Sequence, residues 1–455
     1  MALQAILTDT SASGIAVNLG TTDDAVIGTQ VMVVSGSNAV QGQGSNQAVT
    51  VFGSIYATQT GVYLGGTGAT FEEVTIAASG QVIGESSAIS IFAAQSVVTN
   101  AGSVMSTGWG IYVQATGAGY GTVTNYGTIV AGTGVGAVSS EKMNFTNFGT
   151  INATNGAFYA GDEVVSRVVN HGTMVGDLNF GDLNDSLVND GDINGTIRMG
   201  AGNDQITMKG HYSGIIDLGD GDNAYDGHLA AVDEIRVIGS SGDDSFQLGG
   251  AFETIEGGDG IDSISFYSAR SKVNVSLVPG ASGTGLAAGD SYYDIENVFG
   301  GRHNDNITGS ASANVLNGNS GNDVLFGGGG KDTLIGGDGV DKMTGGGGND
   351  TFQFYALPTD GADKILDFSG KVGNNDVIEI GVYGFGGGLS AGSLAAGQFR
   401  SRDDHVAQDG NDRFIFDKTD NSLWFDDDGN GAHAAVMIVD LQASATLTLA
   451  DILLI

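Results

Sequence analysis

A chain of 455 residues with 52 acidic and 16 basic side chains carries a net charge of −36, which excludes nucleic acid and anionic membranes as partners and demands neutralising cations. Its 78 Gly against 2 Pro exclude collagen and Pro-rich disorder, while 41% hydrophobic residues suffice for a core. The absence of Cys removes disulfides, iron–sulfur clusters and thiolate zinc sites.

In chain order, residues 1–20 show neither a basic stretch nor a compact apolar run, so no cleaved secretory signal is read there. No apolar run of about 18 residues offers a membrane span, and no membrane insertion is expected. The first Lys or Arg is Lys142 and the first His is His171, which makes residues 1–165 a nearly uncharged region. Asn-x-Gly-x-(apolar) recurs there and just beyond, at Asn100-Ala-Gly102, Asn125-Tyr-Gly127, Asn147-Phe-Gly149, Asn170-His-Gly172 and Asn189-Asp-Gly191, in steps of 25, 22, 23 and 19. A period near 20 in β-prone sequence predicts stacked coils, each burying its apolar row against the next. Residues from about 50 to 230 therefore read as a parallel β-helix, with Asn and Gly as left-handed corner residues.

Residues 166–300 read as acidic coils with degenerate repeats. Gly176, Gly195 and Gly214 are 19 apart, as are Asp185, Asp204 and Asn223, so acidic corners begin inside the helix. Further on, Asp244, Glu253 and Asp262 fall nine apart. From residue 301 to 352 the unit becomes Gly-Gly-x-Gly-x-Asp-x-(apolar)-x, the repeat of a calcium-binding β-roll, with Asp305, Asn314, Asp323, Asp332, Asp341 and Asp350 at a strict spacing of nine. Glycines such as Gly327, Gly329, Gly336, Gly339, Gly345 and Gly347 let the turn aim carbonyl oxygens inward, and each Asp adds a hard anionic oxygen. Ca²⁺ takes about 6–8 oxygens, more than one loop supplies. Two nonapeptides make one coil, so turns 18 apart are expected to share an ion, in one row through Asp305, Asp323 and Asp341 and another through Asn314, Asp332 and Asp350. Several Ca²⁺ ions are thus expected.

The stretch from Asp294-Ile-Glu-Asn-Val298 through Thr308-Gly309 and Asn314-Val-Leu-Asn-Gly318 into the repeats closely resembles bacterial repeats-in-toxin (RTX) proteins. The likeness runs on through Asp363-Lys-Ile-Leu-Asp-Phe368, Arg413-Phe-Ile-Phe-Asp417 and Leu423-Trp-Phe-Asp-Asp-Asp-Gly-Asn-Gly431, covering roughly residues 240–455. His303 and Asn314 depart from the pattern. The resemblance implies export by a type I system through an uncleaved signal in a C-terminal RTX-type domain, residues 353–455, ending in Leu447-Thr-Leu-Ala-Asp451-Ile-Leu-Leu-Ile455. The fold class expected is all-β: a parallel β-helix running into a Ca²⁺-binding parallel β-roll, closed by a β-rich capping and secretion domain. Asp426-x-Asp428-x-Asn430-Gly431 opens like an EF-hand loop, but Met437 takes the place of the bidentate Glu. A looser Ca²⁺ loop and a solvated acidic turn both remain open there.

No His-Glu-x-x-His zinc helix is present, which argues against a serralysin-like protease. Gly388-Leu-Ser390-Ala-Gly392 matches the nucleophile-elbow pattern without its strand-to-helix context. Before residue 142 the acids are Asp9, Asp23, Asp24, Glu72, Glu73, Glu85 and Glu141, with no Lys, Arg or His beside them. Asp162, Glu163, Arg167 and His171 form the best remaining set for acid–base work, read here as a charged boundary between uncharged and acidic coils. The expected function is a secreted calcium-binding structural protein (surface layer, matrix fibre or adhesin) that forms homo-oligomers on Ca²⁺ and contacts a surface or matrix polysaccharide. The alternative is a secreted lyase, epimerase or hydrolase acting on an acidic polysaccharide.

Overall fold

The computed structural model describes residues 2–115, 119–138, 142–250, 252–281, 283–371 and 374–455. Glu141 lies outside the described residues. The chain is almost wholly β-structure and forms two compact units, Met1–Asp244 and Ser245–Ile455.

In the first unit each coil contributes short parallel strands to successive faces, as in Gln95–Asn100, Ser103–Ser106 and Trp109–Gln114. Alternation of side chains sends every second residue inward, and the coils stack in register: Val98, Val123, Phe145, Val168 and Leu187 form one fully buried column. Each such side chain contributes about 1.5–3 kcal/mol on burial. Coils begin as early as Leu3–Ile6, which pairs with Asp24–Ile27, although the first ones lack the Asn-Gly signature.

The Asn-Gly pairs are not left-handed corners. Asn100, Asn125, Asn147, Asn170 and Asn189 are the last residues of their strands, buried, and none has a positive φ. Their amides make a ladder in which each Nδ2 donates to the next Oδ1 at 2.7–2.8 Å. The paired glycines keep negative or extended φ as well; they are required by close approach, since a Cβ on Gly127, Gly149 or Gly172 would lie 2.0–2.1 Å from the carbonyl oxygen of the preceding coil's glycine.

The second unit narrows to a two-faced roll. Asn306–Thr308, Val324–Gly330, Lys342–Gly348 and Asp363–Ile365 stack on one face. Asn297–Phe299, Val315–Asn317, Thr333–Ile335, Thr351–Phe354 and Val377–Ile380 stack on the other. The residue two places after each Asp, and after Asn314, points inward: Ile307, Leu316, Leu325, Leu334, Met343 and Phe352 are all buried. Beyond the roll, Phe414–Asp417, Ser422–Phe425 and Val436–Leu441 form an antiparallel sheet over Phe414, Phe416 and Phe425. Ile452–Leu454 pairs in parallel with Val377–Ile380.

Candidate metal centre

The four nonapeptide turns from Gly318 to Gly348 solve the same local problem. The second and fourth places carry left-handed backbone, at Gly337 (φ 106°) and Gly339 (φ 129°) for example, where a side chain would be strained. The first place needs glycine for a different reason: a Cβ on Gly318, Gly327, Gly336 or Gly345 would sit 2.2–2.4 Å from the Oδ2 of the Asp five residues on. Gly329 and Gly347, at the third place, have ordinary φ and open surroundings, so their side-chain position is unconstrained and only their carbonyls are available to an ion. Gly321, Gly328, Gly330, Gly337, Gly346 and Gly348 are required conformationally as well, which a spacing of nine does not reveal.

The carboxylates stack as the 18-residue period predicts. Asp305 N–H donates to Asp323 Oδ1 (2.6 Å), Asp323 N–H to Asp341 Oδ1 (2.7 Å) and Asp341 N–H to Asp363 Oδ1 (2.8 Å). On the other face Asn314 N–H donates to Asp332 Oδ1 (2.8 Å), Asp332 N–H to Asp350 Oδ1 (3.0 Å) and Asp350 N–H to Asp376 Oδ1 (3.0 Å). The rows therefore extend to Asp363 and Asp376, which break the nine-residue spacing. The signal that could have found them is the apolar residue two places on, Ile365 and Ile378, both fully buried.

One oxygen of each Asp is thus occupied. The other, Oδ2 of Asp323, Asp332, Asp341 and Asp350, is buried with no hydrogen-bond donor among the described residues. A buried, unpaired carboxylate is costly by several kcal/mol, and a hard cation removes that penalty. Ca²⁺ fits this donor set: anionic and carbonyl oxygens only, contributed by two successive turns, with no nitrogen or sulfur ligand. Asp323, Asp332, Asp341 and Asp350, with the carbonyls of the glycine turns, are the residues that would hold it. Loss of water pushes Asp323 and Asp332 up to about 7 and Asp341 up to about 6; the backbone N–H bonds oppose this, and neighbouring carboxylates add to it. Asp350 moves in the same direction for the same first cause.

The start of the array is chemically different. Asp305 accepts from Val273 N–H through Oδ1 and from Gly301 N–H through Oδ2, both at 2.7 Å. Asn314 accepts from Ser310 N–H (2.7 Å) and donates to the Glu296 carbonyl (3.0 Å), so its amide is satisfied without an ion.

Upstream in the same unit, Asp262 is buried and its N–H donates to Glu296 (2.9 Å), while Glu253 is buried with its N–H on Asp290 Oδ1 (3.0 Å). Burial first, then the Asp290 charge, holds Glu253 well above the usual carboxylate range. In the first unit Asp185, Asp204, Asn223 and Asp244 form an equivalent ladder, each N–H donating to the next side chain at 2.7–2.9 Å.

Asp426 and Asp428 lie in a turn of the antiparallel sheet. Asp428 Oδ2 accepts from Ala432 N–H (2.8 Å) and His433 N–H (3.2 Å), and Met437, at the twelfth place, is committed to a strand opposite Trp424. Carboxylate oxygens of Asp427 and Asp428 come within 4.8 Å of each other and of the His433 ring nitrogen. His171 does not join Asp162, Glu163 or Arg167: its Nδ1 meets Asp190 at 2.6 Å and its ring stacks on Phe148. Ser390 is exposed in a loop between Val382–Phe385 and Gly392–Ser393.

A parallel solenoid whose nine-residue turns, that of Asn314 apart, each lay a buried Asp against a glycine defines a calcium-binding β-roll. Residues 299–334 and 317–352 match the RTX calcium-binding nonapeptide repeat (4 copies), so that stretch carries RTX repeats. Among solved structures, the AlgE6R3 subunit of the Azotobacter vinelandii mannuronan C5-epimerase is similar at 30% identity, over 33% of this chain and 78% of that one. Its TM-score of 0.22 is too low for the likeness to bear on geometry or activity. None of the curated proteins matches the chain. Among the described residues no helix is long and apolar enough to cross a membrane.

Proposed function

We propose that this chain is a secreted structural protein of the cell surface or extracellular matrix, which folds its acidic coils on Ca²⁺ outside the cell and then assembles with copies of itself. The observation that carries the reading is the set of four buried carboxylate oxygens without donors at Asp323, Asp332, Asp341 and Asp350. Extracellular calcium modules bind at about 10⁻⁴ to 10⁻³ M, so cytosolic calcium leaves such an array unfolded and exportable, and external calcium closes it. A structural rather than catalytic role is supported by the sparse ionisable groups of the first coils and by the pairing of His171 with Asp190 instead of with Asp162 or Glu163. Calcium that neutralises a chain of net charge −36 also weakens repulsion between copies, which favours assembly.

The test is light scattering and electron microscopy of the full-length protein with and without millimolar Ca²⁺, beside a turnover assay on uronate polymers. Ordered oligomers, sheets or fibres that form only with Ca²⁺ and no turnover are expected. A strictly monomeric protein that cleaves or epimerises the polymer would contradict the reading.

A further inference from the structure

One outward face of the first unit carries a groove of about 700 Å³ that the calcium chemistry does not use. It is built on five consecutive parallel strands: Thr60–Gly65, Ser87–Phe92, Trp109–Gln114, Thr128–Val138 and Thr150–Ala160. Their inward residues, Val62, Ile89, Ile111, Val135 and Phe158, are core. The outward column alternates large and small, Tyr63, Ser90, Tyr112, Gly136, Tyr159, in strict register. The gap at Gly136 is filled from the side: a Cβ there would lie 2.0 Å from the Trp109 ring, which lies across it. Rings follow one another at short range, Tyr63 to Phe92 at 5.2 Å, Phe92 to Tyr112 at 5.7 Å, Tyr112 to Trp109 at 5.3 Å and Trp109 to Tyr159 at 5.9 Å. The result is an aromatic ribbon across five coils, roughly 20 Å long at about 4.8 Å per coil.

We infer that this face binds a linear, uncharged polysaccharide whose pyranose rings lie on the Tyr63–Phe92–Tyr112–Trp109–Tyr159 ribbon. The C–H edges of a pyranose are weakly positive and meet the negative face of an aromatic ring, while its hydroxyls need donors and acceptors beside that ring. The groove supplies both, for Thr60, Ser87 and Thr133 run alongside the rings, and Asn155 and Asn179 close one end. Charge decides the class of glycan. Among the described residues lining the groove none is Asp, Glu, Lys, Arg or His, so it offers no cationic group to pair with a uronate or sulfated polymer. An extended peptide is a poor occupant, because the inner strands are hydrogen-bonded on both sides and offer no edge for strand addition. The inference rests on the extracellular reading only for the setting in which such a polymer is met.

The chain has two tryptophans, Trp109 and Trp424, so Trp424→Phe leaves Trp109 as a reporter within the ribbon. In excess Ca²⁺, the full-length Trp424→Phe protein is titrated with hexasaccharides of β-1,4-glucan, β-1,4-xylan, β-1,4-mannan and α-1,4-glucan, and with hexagalacturonate. At least one neutral probe should shift the emission saturably, and hexagalacturonate should not. By calorimetry, Trp109→Ala and the more exposed Tyr159→Ala should each weaken that probe at least tenfold without moving the calcium-induced circular dichroism change. Absence of binding by every neutral probe at millimolar concentration, tighter binding of hexagalacturonate, or parent-like affinity in both variants would overturn the proposal. The calcium response, read on the same samples, shows separately whether the calcium-dependent reading stands.

Discussion

Asp332 holds the preceding turn with one carboxylate oxygen and leaves the other buried without a donor, and Asp341 does the same on the opposite face. The exposed Asp338 carries an equal charge outside the buried rows. Asp332→Ala and Asp341→Ala are therefore expected to weaken Ca²⁺ binding roughly tenfold or more, whereas Asp338→Asn, which alters only a screened charge, should change it less than about twofold. Calorimetric titration checks the difference, and equal effects in all three variants would mean that general acidity, not the rows, draws the ion. The glycines allow an equally local test. Gly330→Ala introduces a Cβ at φ 111° and 2.6 Å from Ser312 backbone, while Gly329→Ala places one no closer than 3.6 Å to any neighbour. The first should destabilise the Ca²⁺-loaded protein by about 1–3 kcal/mol and the second by less than about 0.5 kcal/mol, measured by denaturant unfolding.

Strand-to-strand stacking converts such local features into ladders. Asn147 donates to Asn170 and accepts from Asn125, both at 2.7 Å, with no exposed surface. Asn147→Ala breaks the ladder in the middle and orphans a buried donor and a buried acceptor, so a loss of about 2–4 kcal/mol is expected; Asn152→Ala, on an exposed position of the next strand, should lose less than about 0.5 kcal/mol. Urea midpoints of the full-length protein with Ca²⁺ present decide it. The Asn-Gly recurrence was legible in the sequence, but its reason was not: a left-handed corner and a buried amide ladder leave the same spacing, and only coordinates distinguish them. The acidic rows were legible because their turns have constant length, so that Asp323, Asp332, Asp341 and Asp350 announce themselves by spacing alone. Asp363 and Asp376 were hidden because excursions of other lengths intervene. The aromatic ribbon was hidden for the same reason, since the coil step varies from 27 residues between Tyr63 and Ser90 to 22 between Ser90 and Tyr112, and no fixed period brings those rings into line.

For the molecule as a whole, the raised carboxyl groups of the array couple folding to both protons and calcium. Asp323, Asp332 and Asp363 titrate near 7, and Asp341 and Asp376 near 6, against an ordinary value of 3.8, with burial the first cause throughout. Between about 4 and 7 the folded calcium-free state therefore binds more protons than the unfolded chain, and its stability falls as pH rises through that window. Without Ca²⁺, the array should hold more structure at pH 5 than at pH 8, read by circular dichroism. With Ca²⁺ the order should reverse, because the ion competes with protons for the same oxygens. The opposite order in chelator would show that these carboxylates are not buried as charges. The most direct test of the account is hydrogen exchange of the backbone amides in residues 301–352 at pH 7.5, compared between millimolar Ca²⁺ and excess chelator in protein stripped of bound calcium. Strong protection in Ca²⁺ and near-complete loss of it in chelator are predicted; protection that is equal in both would contradict calcium-dependent folding of the array.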